Sequence, residues 1–373
     1  MRLLPWKKHA RNEDIVYLAS QWQLMRWKFK EHKLAVFALY VIIGLYFMAA
    51  FCEFLAPSDP NRRSAPHSYA PPQRIRAFDE EGHFRGLFVY PLIQRLDPVT
   101  LSRLYTVDTS CCIPVKLLVK GDPYRMWGLF PMETHLLGLA NGERLYLMGA
   151  DRLGRDLFSR ILYGSRVSLS IGLTGVGLSL ALGIIIGGIS GYYGGLVDTL
   201  IQRLIEILRS FPTIPLWMAL SAAMPAYWPQ LRVYFFMTVI LALIGWTGLA
   251  RVVRGKLLAL REEDYALAAR VAGVREFTII IRHLVPGFMS HLIVSVTLAI
   301  PGMILAETSL SFLRLGLRPP VLSWGVLLQD AQNIQAVYHH TWLLLPVLFV
   351  IGTVLMFNFL GDGLRDAADP YGR

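Results

Sequence analysis

Residues 167–197 read VSLSIGLTGVGLSLALGIIIGGISGYYGGLV, with no charged side chain anywhere in the run. A helix rises about 1.5 Å per residue and a bilayer core is about 30 Å thick, so about 20 apolar residues suffice to cross it. This run is long enough for one span with a glycine-rich exit at Gly191-Tyr192-Tyr193-Gly194-Gly195. Within it Gly175, Ser179, Gly183, Gly187 and Gly191 recur every four residues. That spacing lines small residues along one helical face and lets a second helix come close.

The pattern repeats on both sides. Leu34–Cys52, Val233–Ala250, Leu284–Ala306 and Trp342–Leu360 are further uncharged runs of spanning length. Ser210–Leu231 is also apolar but carries Pro212 and Pro215, which predicts a kinked or irregularly started span. The fold expected is an all-α polytopic membrane protein with six transmembrane helices. Composition agrees: over 373 residues, 54% are hydrophobic and 17% charged. Soluble domains carry about 25% charge, so a water-facing surface of this size would be undersupplied. The same deficit excludes intrinsic disorder.

The net charge of +11 does not indicate nucleic acid. The excess sits in segments flanking apolar runs, as membrane topology signals do. Arg2, Lys7, Lys8, Arg11, Arg26, Lys28, Lys30 and Lys33 outnumber Glu13, Asp14 and Glu31, which places residues 1–33 in the cytoplasm. After the first transmembrane segment, 34–56, the region 57–166 becomes external; long loops translocate largely regardless of charge. A five-helix core, 167–361, then carries the basic 251–283 loop on the cytoplasmic side, and 362–373 forms a cytoplasmic tail. The external region begins with Pro57, Pro60, Pro66, Pro71 and Pro72 and reads as a linker followed by a small domain of mixed or irregular structure, with strand-like runs such as Ile113–Val119. Cys52, Cys111 and Cys112 offer no metal-binding spacing.

Catalytic signals are sparse. There is no H-E-x-x-H and no C-x-x-C, and Gly255-Lys256 lacks a Walker context because Ala250 and Leu257 occupy the required positions. Gly188-Ile189-Ser190-Gly191, with His291 in another span, resembles the serine motif of rhomboid intramembrane proteases, but the small-residue face already accounts for Gly191. A secondary carrier would normally show repeated halves, which are not evident.

The 251–283 loop is the most informative stretch. Arg261-Glu262-Glu263-Asp264 supplies acids suited to a helix N-terminus. Residues 265–272, YALAARVA, make about two helical turns, and Gly273 sits where a helix ends in a left-handed residue. A second helix is expected through Phe277 and Ile281, meeting the membrane at Arg282-His283-Leu284-Val285-Pro286. Short apolar surface rimmed by charge suits a partner's groove or a membrane interface.

Leu267-Ala268-Ala269, Gly273 and Val285-Pro286 resemble the "EAA…G…LP" loop of permease subunits from binding-protein-dependent ABC importers, with Leu267 and His283 departing from the usual Glu and Ile. Residues 149–160, GADRLGRDLFSR, resemble the "GTDxxGRDxFSR" segment of the C-type oligopeptide/dipeptide permeases, with Ala150 for Thr. Glu307-Thr308-Ser309-Leu310-Ser311-Phe312-Leu313, then Leu315-Gly316 and Pro319-Pro320, resembles "ExSLSFLGLGxxPP", with Arg314 in place of a Gly. Residues 358–366, NFLGDGLRD, with Asp369-Pro370, complete the likeness from about residue 145 to the C-terminus.

The resemblance implies the type I importer permease fold in a bacterial inner membrane. It implies a non-catalytic subunit that imports peptides, or alternatively oligosaccharides, nickel or opine-like solutes. The implied partners are a second permease forming a heterodimer, two ATPase subunits that bind ATP and Mg, an extracytoplasmic solute-binding protein, and the lipid bilayer. By the same resemblance Tyr265, Ala268, Ala269, Arg270, Gly273 and Pro286 contact the ATPase. Glu307, Ser309 and Ser311 are candidates for the solute pathway, with a structural cap as the alternative for Glu307. Asp151, Arg155 and Asp156 are candidates for contact with the binding protein, with bracing of the second span as the alternative.

Overall fold

A computed structural model describes residues 21–368, apart from 97, 99–102, 141 and 226. The basic residues Arg2, Lys7, Lys8 and Arg11 and the pair Asp369-Pro370 lie outside the described residues.

Five helical stretches are long and apolar enough to cross a membrane. After α1 (Gln21–Glu31) the chain turns at His32, whose Nδ1 accepts the Ala35 N–H at 3.3 Å, into α2 (Lys33–Ala50). α3 (Leu157–Tyr193) is capped by Asp156 and stops at Gly194, held at φ +67°. At about 1.5 Å per residue α3 is about 55 Å long, so its ends project beyond a bilayer core of about 30 Å. α6 (Gln230–Leu260), α8 (Met289–Phe312) and α10 (Leu345–Ala368) supply the rest, once α4 (Gly195–Ser210), α5 (Thr213–Ala222) and α7 (Asp264–Val271) are placed between them.

The third pass departs from the expected Ser210–Leu231. It is made by α4 and α5 in succession, broken at Phe211, which is extended because Pro212 disfavours the helical region for the residue before it. Ile205 of α4 is buried with Trp246 and Ala250 of α6, and Ser221 of α5 donates to Met237 Sδ near the start of α6. The pair therefore climbs alongside α6. Asp198, Arg203, Glu206 and Arg209 hide the first half of this pass from a search for uncharged runs.

Both described ends of the chain meet at one pole, where His32 Nε2 lies 3.6 Å from Asp366 Oδ2 and Gly363 admits Ala35. The opposite pole carries the 57–156 insertion, which is more ordered than a linker. β1 (Arg76–Phe78), β2 (Phe84–Val89), β5 (Ile113–Met126) and β6 (Phe130–Leu139) form an antiparallel sheet in the order β1-β2-β5-β6, and β3 (Leu92–Leu96) pairs with β4 (Arg103–Val107) apart from it. The tip of the β5–β6 hairpin folds onto the end of α2. There Trp127 Nε1 donates to Ala50 O at 2.7 Å, and Arg166 of α3 clamps Glu53, donating from Nη1 to Oε1 at 2.6 Å. His135 bridges the hairpin to the linker through Nδ1 to Ala56 O at 2.6 Å.

α3 and α6 form the centre of the bundle. A Cβ on Gly183 would lie 2.7 Å from Leu249 Cβ, one on Gly191 would lie 2.9 Å from Arg254 O, and one on Gly187 would collide with Ala250 O. The four-residue glycine spacing is thus the seam along which the two backbones touch.

Candidate functional site

Two sites stand at opposite poles of the bundle: an exposed elbow on the side of the described chain ends and a buried polar brace beneath the sheet.

The elbow begins later than the expected loop, because α6 runs on through Arg251 to Leu260. α7 then packs Ala266 inward against Val253, Leu257 and Ile279. Its end is a paired capping arrangement: Val274 N–H reaches Ala269 O at 3.1 Å and Gly273 N–H reaches Arg270 O at 3.0 Å, with Gly273 at φ +73°. The second helix expected through Phe277 and Ile281 is present but irregular, the first part of a helical stretch that runs from Glu276 to Phe312. One turn, Glu276–Thr278, gives way to a wide π turn over Ile279–Leu284 and a tight turn over Val285–Phe288. Pro286 has no N–H for the preceding turn, so the ladder must rearrange around it.

The six residues expected at this site sort by exposure. Tyr265, Ala268, Arg270, Gly273 and Pro286 are exposed, whereas Ala269 is half-buried against the cluster around Tyr192 and Val253. Arg270 lies over the Tyr192 ring at 5.2 Å and donates to its hydroxyl at 3.3 Å, which fastens α7 to the end of α3. Val271, 91% exposed, and Phe277, 66% exposed, complete the apolar surface. Val271 was legible only as the outward member of a period of 3.6 within YALAARVA.

The elbow is bolted to the bundle. Arg261 Nη1 donates to Tyr192 O at 3.1 Å, and Arg254 grips Asp198 in a fork, Nε to Oδ1 and Nη2 to Oδ2, both 2.5 Å. Ser190, fully buried, donates to that same Asp198 and accepts from Gln202 Nε2 at 3.2 Å. Its hydroxyl serves this junction of α3, α4 and α6, which accounts for the serine without nucleophilic chemistry.

At the other pole Glu307 is completely buried. Ser168 Oγ of α3 donates to its Oε2 at 3.2 Å and Ser311 Oγ to its Oε1 at 2.8 Å. Each serine in turn accepts a backbone N–H: Trp324 onto Ser168 at 3.1 Å, and Leu317 onto Ser311 at 3.1 Å. The carboxyl therefore fastens α3, α8, the 313–317 turn and the short helix α9 (Trp324–Leu327) together. The carboxyl is engaged by these two serines, an arrangement that suits the cap alternative. Ser311 shares the same duty, while Ser309, half-buried, lies about 200° round the helix from Glu307. Small residues make the brace fit: a Cβ on Gly325 would lie 2.6 Å from Thr308 O, and one on Gly316 would lie 2.7 Å from Ser311 Oγ.

Asp151 and Asp156, for which the sequence leaves both contact with a soluble partner and bracing of the second span open, are both about 1% exposed and engaged internally. Asp151 accepts the Leu153 and Arg155 N–H groups at 2.8 and 3.0 Å and holds Arg155 Nε at 2.6 Å. Asp156 caps α3 through Ser159 N–H at 2.8 Å and Phe158 N–H at 3.3 Å. Carboxylates saturated by backbone donors at a helix start are spent locally. Arg155 alone of the three is partly exposed.

Known proteins resemble this chain over both its first span and its core. Residues 183–371 match the family described as binding-protein-dependent transport system inner membrane component, and residues 20–72 match the N-terminal TM domain of oligopeptide transport permease C. The dipeptide transport system permease protein DppC of Bacillus subtilis is 41% identical over 224 residues, 60% of this chain and 68% of that protein. The oligopeptide transport system permease protein OppC of Haemophilus influenzae is 41% identical over 232 residues, 62% of this chain and 72% of that protein. The glutathione transport system permease protein GsiD of Pectobacterium atrosepticum is 40% identical over 223 residues, 60% of this chain and 72% of that protein. Among solved structures, an inward-facing MetNI methionine ABC transporter aligns with a TM-score of 0.40 at 18% identity, covering 56% of this chain and 95% of that one.

Proposed function

Because this chain belongs to the family of binding-protein-dependent transport system inner membrane components, as an ABC importer permease subunit of the oligopeptide and dipeptide type, we propose that it forms half of a translocation pore for peptides or similar small solutes. A second, different permease supplies the other half. Two ATPase subunits sit below the elbow pole, and the ATP and Mg of the cycle belong to them. A solute-binding protein docks over the sheet pole. Both termini and the elbow are cytoplasmic, and the sheet is extracytoplasmic. The chain contributes no catalytic group of its own.

The observation that carries this reading is the elbow: an apolar surface of Tyr265, Ala268, Val271 and Phe277, small enough to enter a groove and bolted to the end of α3 by Arg261 and Arg270. A push on such a surface moves α3 and α6 rather than deforming a loose loop. Closure of the ATPase pair draws the two elbows together and tilts the spans towards an outward-open state. Each partner biases this equilibrium only through a difference in its affinity for the two states.

Reconstituted vesicles test the reading. Uptake is expected only when the ATPase subunits and ATP are supplied together with this chain and its companion permease. Solute entry at an equal rate without the ATPase subunits overturns it.

A further inference from the structure

Between residues 152–160 and the 314–330 segment, at the sheet pole, lies a cavity of about 410 Å³. Five guanidiniums line it, those of Arg152, Arg155, Arg160, Arg314 and Arg318, against the single carboxylate of Asp330. Asp151, behind the wall, holds Arg155 at 2.6 Å, and Asp330 Oδ1 lies 3.5 Å from Arg152 Nε. Arg314 and Arg318 have no acidic partner among the described residues. Arg318 Nε donates only to the Arg314 carbonyl, at 3.2 Å.

Two features mark this as more than a solvated basic rim. Arg160 is 2% exposed, and its Nε has no hydrogen-bond acceptor, Asp151 Oδ2 standing 3.6 Å away. A buried donor left without an acceptor is rare and costly. Arg314 is held at φ +62°, a left-handed conformation that an L side chain adopts only at a steric cost. A glycine would serve the turn better, yet a cation stands there.

We propose that this cavity binds the free carboxylate of a small solute. The planar guanidinium fork matches a carboxylate through two parallel hydrogen bonds, and the excess of cations has no other counter-ion in the wall. The volume lies within the range of about 300–1,000 Å³ typical of small-molecule sites, more room than one acidic side chain fills. The site also touches the brace: Leu317, between the two unpaired arginines, donates to Ser311, which donates to Glu307. An anion that draws Arg314 and Arg318 inward thereby pulls on the junction of α3 and α8. The inference rests on the permease reading only for the source of the anion.

Binding to the full-length chain in lipid nanodiscs tests it. The chain is titrated calorimetrically with N-acetyl-alanyl-alanine and with the corresponding C-terminal amide. The acid is expected to saturate one site, with the amide weaker by about tenfold or more. Arg318→Gln and Arg314→Gly, both on the cavity rim, are each expected to weaken the acid by about tenfold without lowering the thermal unfolding midpoint. Equal affinity for acid and amide, no saturable binding of the acid, or wild-type affinity in both variants overturns the proposal. A cavity filled by an acidic side chain of a docked protein gives the second of these results. No transport is measured, so such a failure leaves the permease reading standing.

Discussion

Ser168 and Glu307 are separated by 139 residues in the chain and meet inside the bundle, the serine hydroxyl donating to the carboxyl at 3.2 Å. The contact is one link of a chain running from the Trp324 N–H through Ser168, Glu307 and Ser311 to the Leu317 N–H. Removing its centre strands two buried serines. Glu307→Leu is expected to cost about 2–4 kcal/mol, whereas Glu307→Gln, which keeps an acceptor and the shape, costs less than about 1.5 kcal/mol. Thermal unfolding of the purified chain in detergent compares the two; equal losses would show that the hydrogen bonds are not what matters.

The contact of α3 with α6 gives a second pair. Gly187→Leu drives a side chain into the Ala250 backbone, while a Cβ on Gly177, earlier in the same helix, would meet no atom within 4 Å. Overpacking costs about 1–3 kcal/mol or more at the first position and almost nothing at the second. Similar midpoints for the two variants would remove the seam as a source of stability.

At the elbow, Val271→Asp leaves every internal contact intact because the side chain is almost wholly exposed. The chain should reach the membrane in normal amounts and fail to co-purify with its ATPase subunits. Gly273→Glu should lose the same association, with a further penalty of about 1–2 kcal/mol from its φ of +73°. Normal uptake by Val271→Asp places the docking surface elsewhere.

Ser190 tests a different kind of reading. As a junction hydroxyl it is expected to tolerate Ser190→Ala with a loss of about 1 kcal/mol and full uptake. Arg254→Ala should lose more, since Asp198 is then left with no cation to grip it. A variant Ser190→Ala that folds normally yet abolishes uptake would contradict this.

Burial pushes the Asp156 carboxyl up to about 6, against the pull of the Ser159 and Phe158 N–H groups. An acid whose pKa is higher folded than unfolded gives stability that is complete below the unfolded value of about 3.9 and disappears as pH rises through the folded one. Asp156→Asn keeps the cap and does not titrate. Its unfolding midpoint should gain on the wild type between about pH 4 and pH 6 and hold a constant difference above about pH 7. A difference that stays level across that whole range defeats the assignment.

The spans and the turn of the elbow are legible because lipid imposes one simple demand, a long uncharged run, and because Gly273 marks a helix end by its lack of a Cβ. The third pass was misplaced because α4 shelters Asp198 within the protein, so its polar face obscures the crossing. The sheet was only partly visible: Ile113–Val119 betrays half of β5, but a hairpin's partner is fixed by register rather than by composition. The roles of Asp151, Asp156 and Glu307 were ambiguous for a deeper reason. An acid near a helix end looks the same in sequence whether it faces a partner or saturates backbone donors, and only burial separates the two.

Trp127 is anchored to Ala50 and, through its N–H, to the Glu53 carboxylate that Arg166 of α3 holds, so the hairpin is riveted to the end of α2 and, through Glu53, to α3. The sheet is then fixed to the rods rather than hinged on them. A slight rocking of those two helices therefore carries the β5–β6 hairpin with it, so motion between the rods is transmitted to the sheet.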